Sequence, residues 1–159
     1  LFFSESGGFE QFKDGADDAD AMRYTIAAQT VDIIRYLMPG RVLVVGTTGG
    51  EFSASSSSTG EALTPTNVQI KRQTTYGSAN VQPIQSGNAV LFLQRARRKI
   101  RELVYNFDVD GFIAPDMTIL AEHVTEGGID DLAIQQEPDN VIWAVRGDGV
   151  LCGLTYRQT

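Results

Sequence analysis

Histidine, cysteine and clustered carboxylates build most sites, and this chain of 159 residues has one His and one Cys. A Ser-His-Asp triad would have to form around His123, and no G-x-S-x-G elbow presents a serine to it. One His and one Cys cannot supply the ligands of an ordinary zinc site. Cys152 lies in the apolar run 150–154 (VLCGL), where it reads as a small buried side chain with no partner for an internal disulfide. Asp108, Asp110 and Asp116 lie close together in 106–116 (NFDVDGFIAPD), and two such carboxylates could serve as acid and base on a glycan. The D-x-D-G spacing also matches the start of a calcium loop, but the twelfth position from Asp108 is Ile119 instead of the required Glu. Asp110-Gly111 and Pro115-Asp116 therefore read as turn residues. The segment 46–50 (GTTGG) lacks the Lys-Ser/Thr of a phosphate loop and reads as a hairpin turn. No catalytic residue, metal or cofactor is assigned, and the chain is expected not to be an enzyme.

Arg95, Arg97, Arg98, Lys99 and Arg101 form the one concentration of positive charge in a chain of net charge -7. Five like charges within seven residues repel unless solvent, carboxylates or phosphates intervene. They are the candidate assembly or DNA contact: a solvated turn or salt-bridged subunit contact, or a surface that touches phosphate in passing. The acidic balance argues against a surface built mainly to grip nucleic acid. No apolar stretch approaches the roughly 20 residues of a membrane helix, and the opening LFFSE lacks a basic region followed by an apolar one, so no membrane contact is expected. Because the chain starts without Met in what reads as a strand, it is expected to be a fragment of a longer polypeptide.

These side chains would be carried mainly by strands. Short β-rich runs bounded by Gly, Pro, Asn and Asp occur at 42–47 (VLVVGT), 68–73 (VQIKRQ), 89–94 (AVLFLQ), 99–105 (KIRELVY), 141–146 (VIWAVR) and 150–156 (VLCGLTY). Turn residues separate them at 39–40, 48–50, 86–88, 138–140 and 147–149. The Ser-rich run 53–60 (SASSSSTG) and 14–20 (DGADDAD) read as polar loops. Segments 25–38 and 117–124 could be short helices. Trp143, in an alternating strand, reads as core.

An apolar strand, a short turn and a second strand recur from Leu43, Leu91 and Ile142, first 48 and then 51 positions apart. Upstream runs lie at 31–37, 81–84 and 129–135, and downstream runs at 68–73 and 117–124. Four candidate strands per unit of about 50 residues is the pattern of a propeller blade, whose small sheets bury their faces only against one another. The alternative is a sandwich or barrel of evenly spaced hairpins. The expected fold is all-β: one domain over residues 1–159, a propeller-like arc of four-stranded antiparallel blades with hairpins centred on Gly49, Arg97 and Asp148.

Segments 62–83 (ALTPTNVQIKRQTTYGSANVQP), 88–112 (NAVLFLQRARRKIRELVYNFDVDGF) and 135–156 (QQEPDNVIWAVRGDGVLCGLTY), with FFSESGGFEQF and VLVVGTTGGEF, resemble a segment of phage and prophage tail proteins. The resemblance is to the tail nozzle, or tail tubular, proteins of short-tailed phages. It implies a structural virion component made in the bacterial cytoplasm, with other tail subunits, including copies of itself, as partners. It further implies a ring around the DNA exit channel, with transient DNA contact. The alternative is a glycan-binding or glycan-cleaving tail domain.

Overall fold

A computed structural model describes residues 1–26 and 31–157. Its strands are β1 (Phe2–Phe3), β2 (Met22–Arg23), β3 (Ile34–Met38), β4 (Leu43–Thr47), β5 (Glu51–Ser56), β6 (Val68–Thr74), β7 (Ile84–Ser86), β8 (Ala89–Leu93), β9 (Ile100–Asn106), β10 (Gly111–Ile113), β11 (Ile129–Gln135), β12 (Val141–Arg146) and β13 (Leu151–Thr155). The fold is all-β, with no helix among the described residues. Strands β3-β4-β5-β6 form a first large sheet, β7-β8-β9-β10 a second and β11-β12-β13 a third, and β1 and β2 pair near the start of the chain. Every pairing between these strands is antiparallel, and in the three large sheets each strand pairs with its neighbours in sequence.

The hairpins turn where the sequence places them. Thr47 N–H donates to Gly50 O (2.9 Å), Gln94 N–H to Lys99 O (2.9 Å) and Arg146 N–H to Val150 O (2.9 Å). The second turn holds Arg97 at φ 60° and the third Gly149 at φ 84°. Left-handed backbone is natural for the glycine and unusual for the arginine.

The large sheets share their faces. On β8 every residue is buried, because alternate side chains serve different neighbours. Val90 and Phe92 join Leu103 and Ala114 against Tyr36 and Val44 of the first sheet. Leu91 and Leu93 join Ile100 against Ile129, Leu132, Ile142 and Ala144 of the third. Tyr156 closes this second core, its hydroxyl donating to Glu102 at 2.8 Å. The second sheet thus packs against both of the others.

A backbone motif repeats with the sheets. Ile33 O accepts from Thr48 N–H (3.0 Å), Gly77 O from Arg95 N–H (2.9 Å) and Gly128 O from Gly147 N–H (3.0 Å), so each incoming segment is tied to the central hairpin of its own sheet. The segment is also tied to the preceding sheet, through Ser78 N–H to Thr47 O (2.7 Å) and Ile129 N–H to Arg97 O (2.8 Å). Gly77 pays for this proximity with a φ of 76°, and a β-carbon there would lie 2.3 Å from Thr48 O. Gly77→Ala is therefore expected to destabilise the fold by about 2 kcal/mol, from left-handed strain plus a clash with backbone. A urea titration reads this directly, and an unchanged midpoint would show that the clamp yields freely.

Four expectations need correction. The fourth strand of the second unit is β10, while 117–124 is neither strand nor helix. Thr118 and Ala121 accept successive turn bonds there, from Ala121 N–H and Val124 N–H at 2.9 Å each. In 25–38 the last five residues are β3, and 27–30 lie outside the described residues. The Ser-rich run 53–60 starts inside β5: Ser53 and Ala54 are buried, and Ser53 Oγ accepts from Gln73 Nε2 at 2.8 Å. Trp143 is also not core. It is 37% exposed on the outer face of the third sheet, with Nε1 donating to Gln135 Oε1 at 3.2 Å.

Candidate functional site

The β8–β9 hairpin places its five basic residues in five different settings. Arg95, exposed, donates from a guanidinium nitrogen to Thr48 O of the first sheet at 3.3 Å. Arg97, exposed, pairs with Asp130 of the third sheet. Lys99 pairs with Asp116 at 3.0 Å and Glu122 at 3.2 Å, both in the segment after β10. Among the described residues Arg98 has no hydrogen bond or ion pair, and it lines a cleft of about 190 Å³ with Gln94, Ala96, Lys99, Glu122 and Thr125.

Arg101 departs from the surface reading. It is only 9% exposed. Its Nε donates to Gln94 Oε1 at 2.7 Å and another guanidinium nitrogen to Ala114 O at 2.6 Å. The guanidinium also lies 3.4 Å from the centroid of the Tyr76 ring. Alternation explains the difference: Arg101 lies opposite Phe92 on the face turned to the first sheet, whereas the turn residues stand clear of both cores.

Within the electrostatic reach of Arg101 is a buried acid that only strand parity marks in the sequence. Glu51, at the start of β5, is fully buried. Ser78 Oγ donates to Glu51 Oε1 at 2.8 Å, and Thr74 Oγ1 donates to Oε2. Tyr36 Oη lies 3.4 Å from Ser78 Oγ, and burial pushes its phenol up. Burial likewise raises the Glu51 pKa, opposed by hydrogen bonds from Thr74, Ser78 and the Tyr76 backbone and by the charge of Arg101. The one sequence signal for Glu51 is parity, since Glu51 and Ser53 fall on the same side of a strand whose other side carries Phe52 and Ala54.

The arrangement connects sheets. Two arginines reach from the central hairpin to opposite neighbours, the charge of Arg101 acts on buried Glu51, and Arg98 keeps no polar partner among the described residues. Arg98→Ser is therefore expected to change stability by no more than about 0.5 kcal/mol, the range for a surface side chain without special contacts. Chemical denaturation of this variant checks it, and a loss above 1 kcal/mol would reveal a structural contact.

A pH prediction follows from Glu51. Its folded pKa lies above its unfolded value, so the folded state holds the proton more tightly. Its contribution is fully present below the unfolded pKa and is lost as pH rises through the folded pKa. Glu51→Gln removes that titration. The melting temperature of the Gln variant minus that of the wild type is expected to rise with pH from the carboxylate range to neutrality. A difference that is flat or falls would show that Glu51 does not titrate as described.

The acidic residues of 106–116 do not converge. Asp110 closes the β9–β10 turn at φ 45° and accepts from Tyr105 Oη, whereas Asp108 is exposed beside it. Although burial works the other way, hydrogen bonds from Lys99 and Thr118 hold the Asp116 carboxyl below its usual range. His123 is exposed, and Cys152 is half-buried against the core between the second and third sheets. No group of three or more His, Cys, Asp or Glu that could hold a metal ion occurs among the described residues. No protein-family model matches the chain, and no curated protein matches it.

Proposed function

We propose that this chain is a structural, non-enzymatic component of a phage or prophage tail, of the nozzle or tail-tube kind, that acts by assembling with other tail subunits. The observation supporting this reading is the repeated sheet. Three antiparallel meanders pack face to face, and successive linkers are tied by the same backbone bonds to the hairpins on either side. A stack of this kind extends by adding further sheets, from the same polypeptide or from neighbouring subunits, and suits a rigid arc or ring in a larger body.

The basic hairpin fits a structural role as well. Arg95 and Arg97 reach the neighbouring sheets, Lys99 and Arg101 are held within their own unit, and Arg98 remains for a passing contact with phosphate. In a lumen lined by a protein of net charge -7, DNA would meet repulsion with isolated points of attraction, which favours sliding over capture.

Antibodies raised against the purified chain provide the test. They are expected to decorate tails of phage particles from the culture that supplies the gene, seen by immunogold electron microscopy. Particles that carry no label, with the antigen recovered only from cell extract, would overturn the proposal.

A further inference from the structure

Both faces of the second sheet are covered by its neighbours, so it meets other molecules mainly at its strand ends. The two ends of β9 differ in character. At one end the β9–β10 turn holds Phe107 87% exposed and Val109 63% exposed. This turn is braced: Asn106 Oδ1 accepts from Asp108 N–H (2.9 Å) and Val109 N–H (3.3 Å), Phe107 O accepts from Asp110 N–H (3.2 Å), and Tyr105 Oη donates to Asp110. An aromatic side chain held in water on a braced turn loses little freedom on binding, and buried aromatic anchors dominate contacts between proteins. Beside Phe107 stands exposed Asp108, whose carboxylate has no hydrogen bond or ion pair among the described residues.

At the other end of β9 lies the cleft of about 190 Å³ beside Arg98. A cavity of roughly 150 Å³ already admits a benzene ring, so there is room for a phenylalanine side chain. Ala96 and the aliphatic stems of Arg98 and Lys99 give the cleft apolar wall, and the segment that supplies Glu122 also exposes Ile119 and Leu120. Lys99 is engaged by Asp116 and Glu122, which leaves Arg98 as the cation without a partner among the described residues. The seven residues of β9, at about 3.4 Å each, put roughly 20 Å between turn and cleft, so a turn does not reach the cleft of its own chain.

We infer that the β9–β10 turn of one copy docks in the Arg98 cleft of a second copy, with the Phe107 ring in the cleft and Asp108 paired with Arg98. Size, charge and position together select this occupant. The turn offers an aromatic ring beside an unpaired acid, and the cleft offers room for a ring beside an unpaired base. A membrane surface is the poorer partner, because its anionic headgroups would repel Asp108 and Asp110. Since turn and cleft lie at opposite ends of one strand, the contact is heterologous. Each copy engages one neighbour with its turn and another with its cleft, and rows or closed rings result. A guanidinium has N–H donors on more than one edge, so pairing with Asp108 leaves another edge of Arg98 for phosphate.

This inference rests on the assembly role proposed above and supplies a contact through which it would operate. Sedimentation of the wild-type chain over a concentration series is expected to show association that continues past the dimer. Phe107→Ser and Arg98→Asp change exposed side chains, and each is expected to weaken association about tenfold or more with an unchanged circular-dichroism spectrum. Mixing the two variants then tests the head-to-tail arrangement. The Phe107→Ser copy keeps its cleft and the Arg98→Asp copy keeps its turn, so an equal mixture is expected to form dimers and stop there. A wild-type chain that stays monomeric at its solubility limit overturns the inference, as does association indifferent to either substitution. A mixture that stays monomeric where the wild type associates overturns it equally. The tail assignment is judged by the labelling of particles, so failure here is distinguishable from failure there.

Discussion

Arg101→Ala is expected to lower the unfolding free energy by about 3 kcal/mol, far more than the change at Arg98 three residues earlier. The lost guanidinium donates to Gln94 and to the Ala114 carbonyl and lies over Tyr76. Hydrogen bonds from a charged donor contribute about 1.5–3 kcal/mol each when only one partner is removed, and the contact with the ring adds to this. Some of the loss is recovered as water enters the space. The removal also takes from buried Glu51 the positive charge that opposes its rise in pKa, so the penalty should be greater at neutral pH than in mild acid. Guanidinium titrations at two pH values measure both effects. A loss below 1 kcal/mol at neutral pH would return Arg101 to the solvated hairpin.

Phe92→Ala is expected to cost about 3–5 kcal/mol, the range for emptying a buried aromatic site. Phe92 is fully buried between the first and second sheets, with its ring centroid 6.3 Å from that of Tyr36. Small domains are stable by about 5–15 kcal/mol, so this substitution removes a large share of the total. Calorimetry should show a much lower melting temperature. The same truncation at Trp143, a larger but partly exposed side chain, should have a much smaller effect on the isolated chain. If the order is reversed, the core has been placed on the wrong face of the stack.

The hairpins at Gly49, Arg97 and Asp148 could be read from sequence because strand propensity and turn chemistry are local, and each tight turn is bracketed by apolar runs. The continuous apolar stretch of β8 likewise reflects a strand buried on both faces. Ser53 was misread because its polarity suits a loop as well as a buried position, and a hydroxyl becomes interior only when a partner such as Gln73 arrives from another strand. Arg101 was misread for a related reason. Five neighbouring charges look like one patch along the sequence, but alternation turns one of them inward to a carbonyl and an aromatic ring supplied from elsewhere. For Glu51 the local signal is parity alone, since its partners Thr74 and Ser78 lie more than 20 residues away. Trp143 follows the alternation of its strand, but alternation does not say which side of the third sheet is covered.

The pairing of each strand with its sequence neighbours has a consequence for how the protein is made. In each large sheet all hydrogen-bonded partners leave the ribosome within a few tens of residues of one another, so a meander can close while the next is still being translated. The second sheet nevertheless emerges with the Leu91 and Leu93 face uncovered, and that face stays open until β11 and β12 have been synthesised. Vectorial synthesis thus gives the nascent chain a brief adhesive interval between its second and third meanders, during which a chaperone or a neighbouring nascent chain would find its most accessible hydrophobic target.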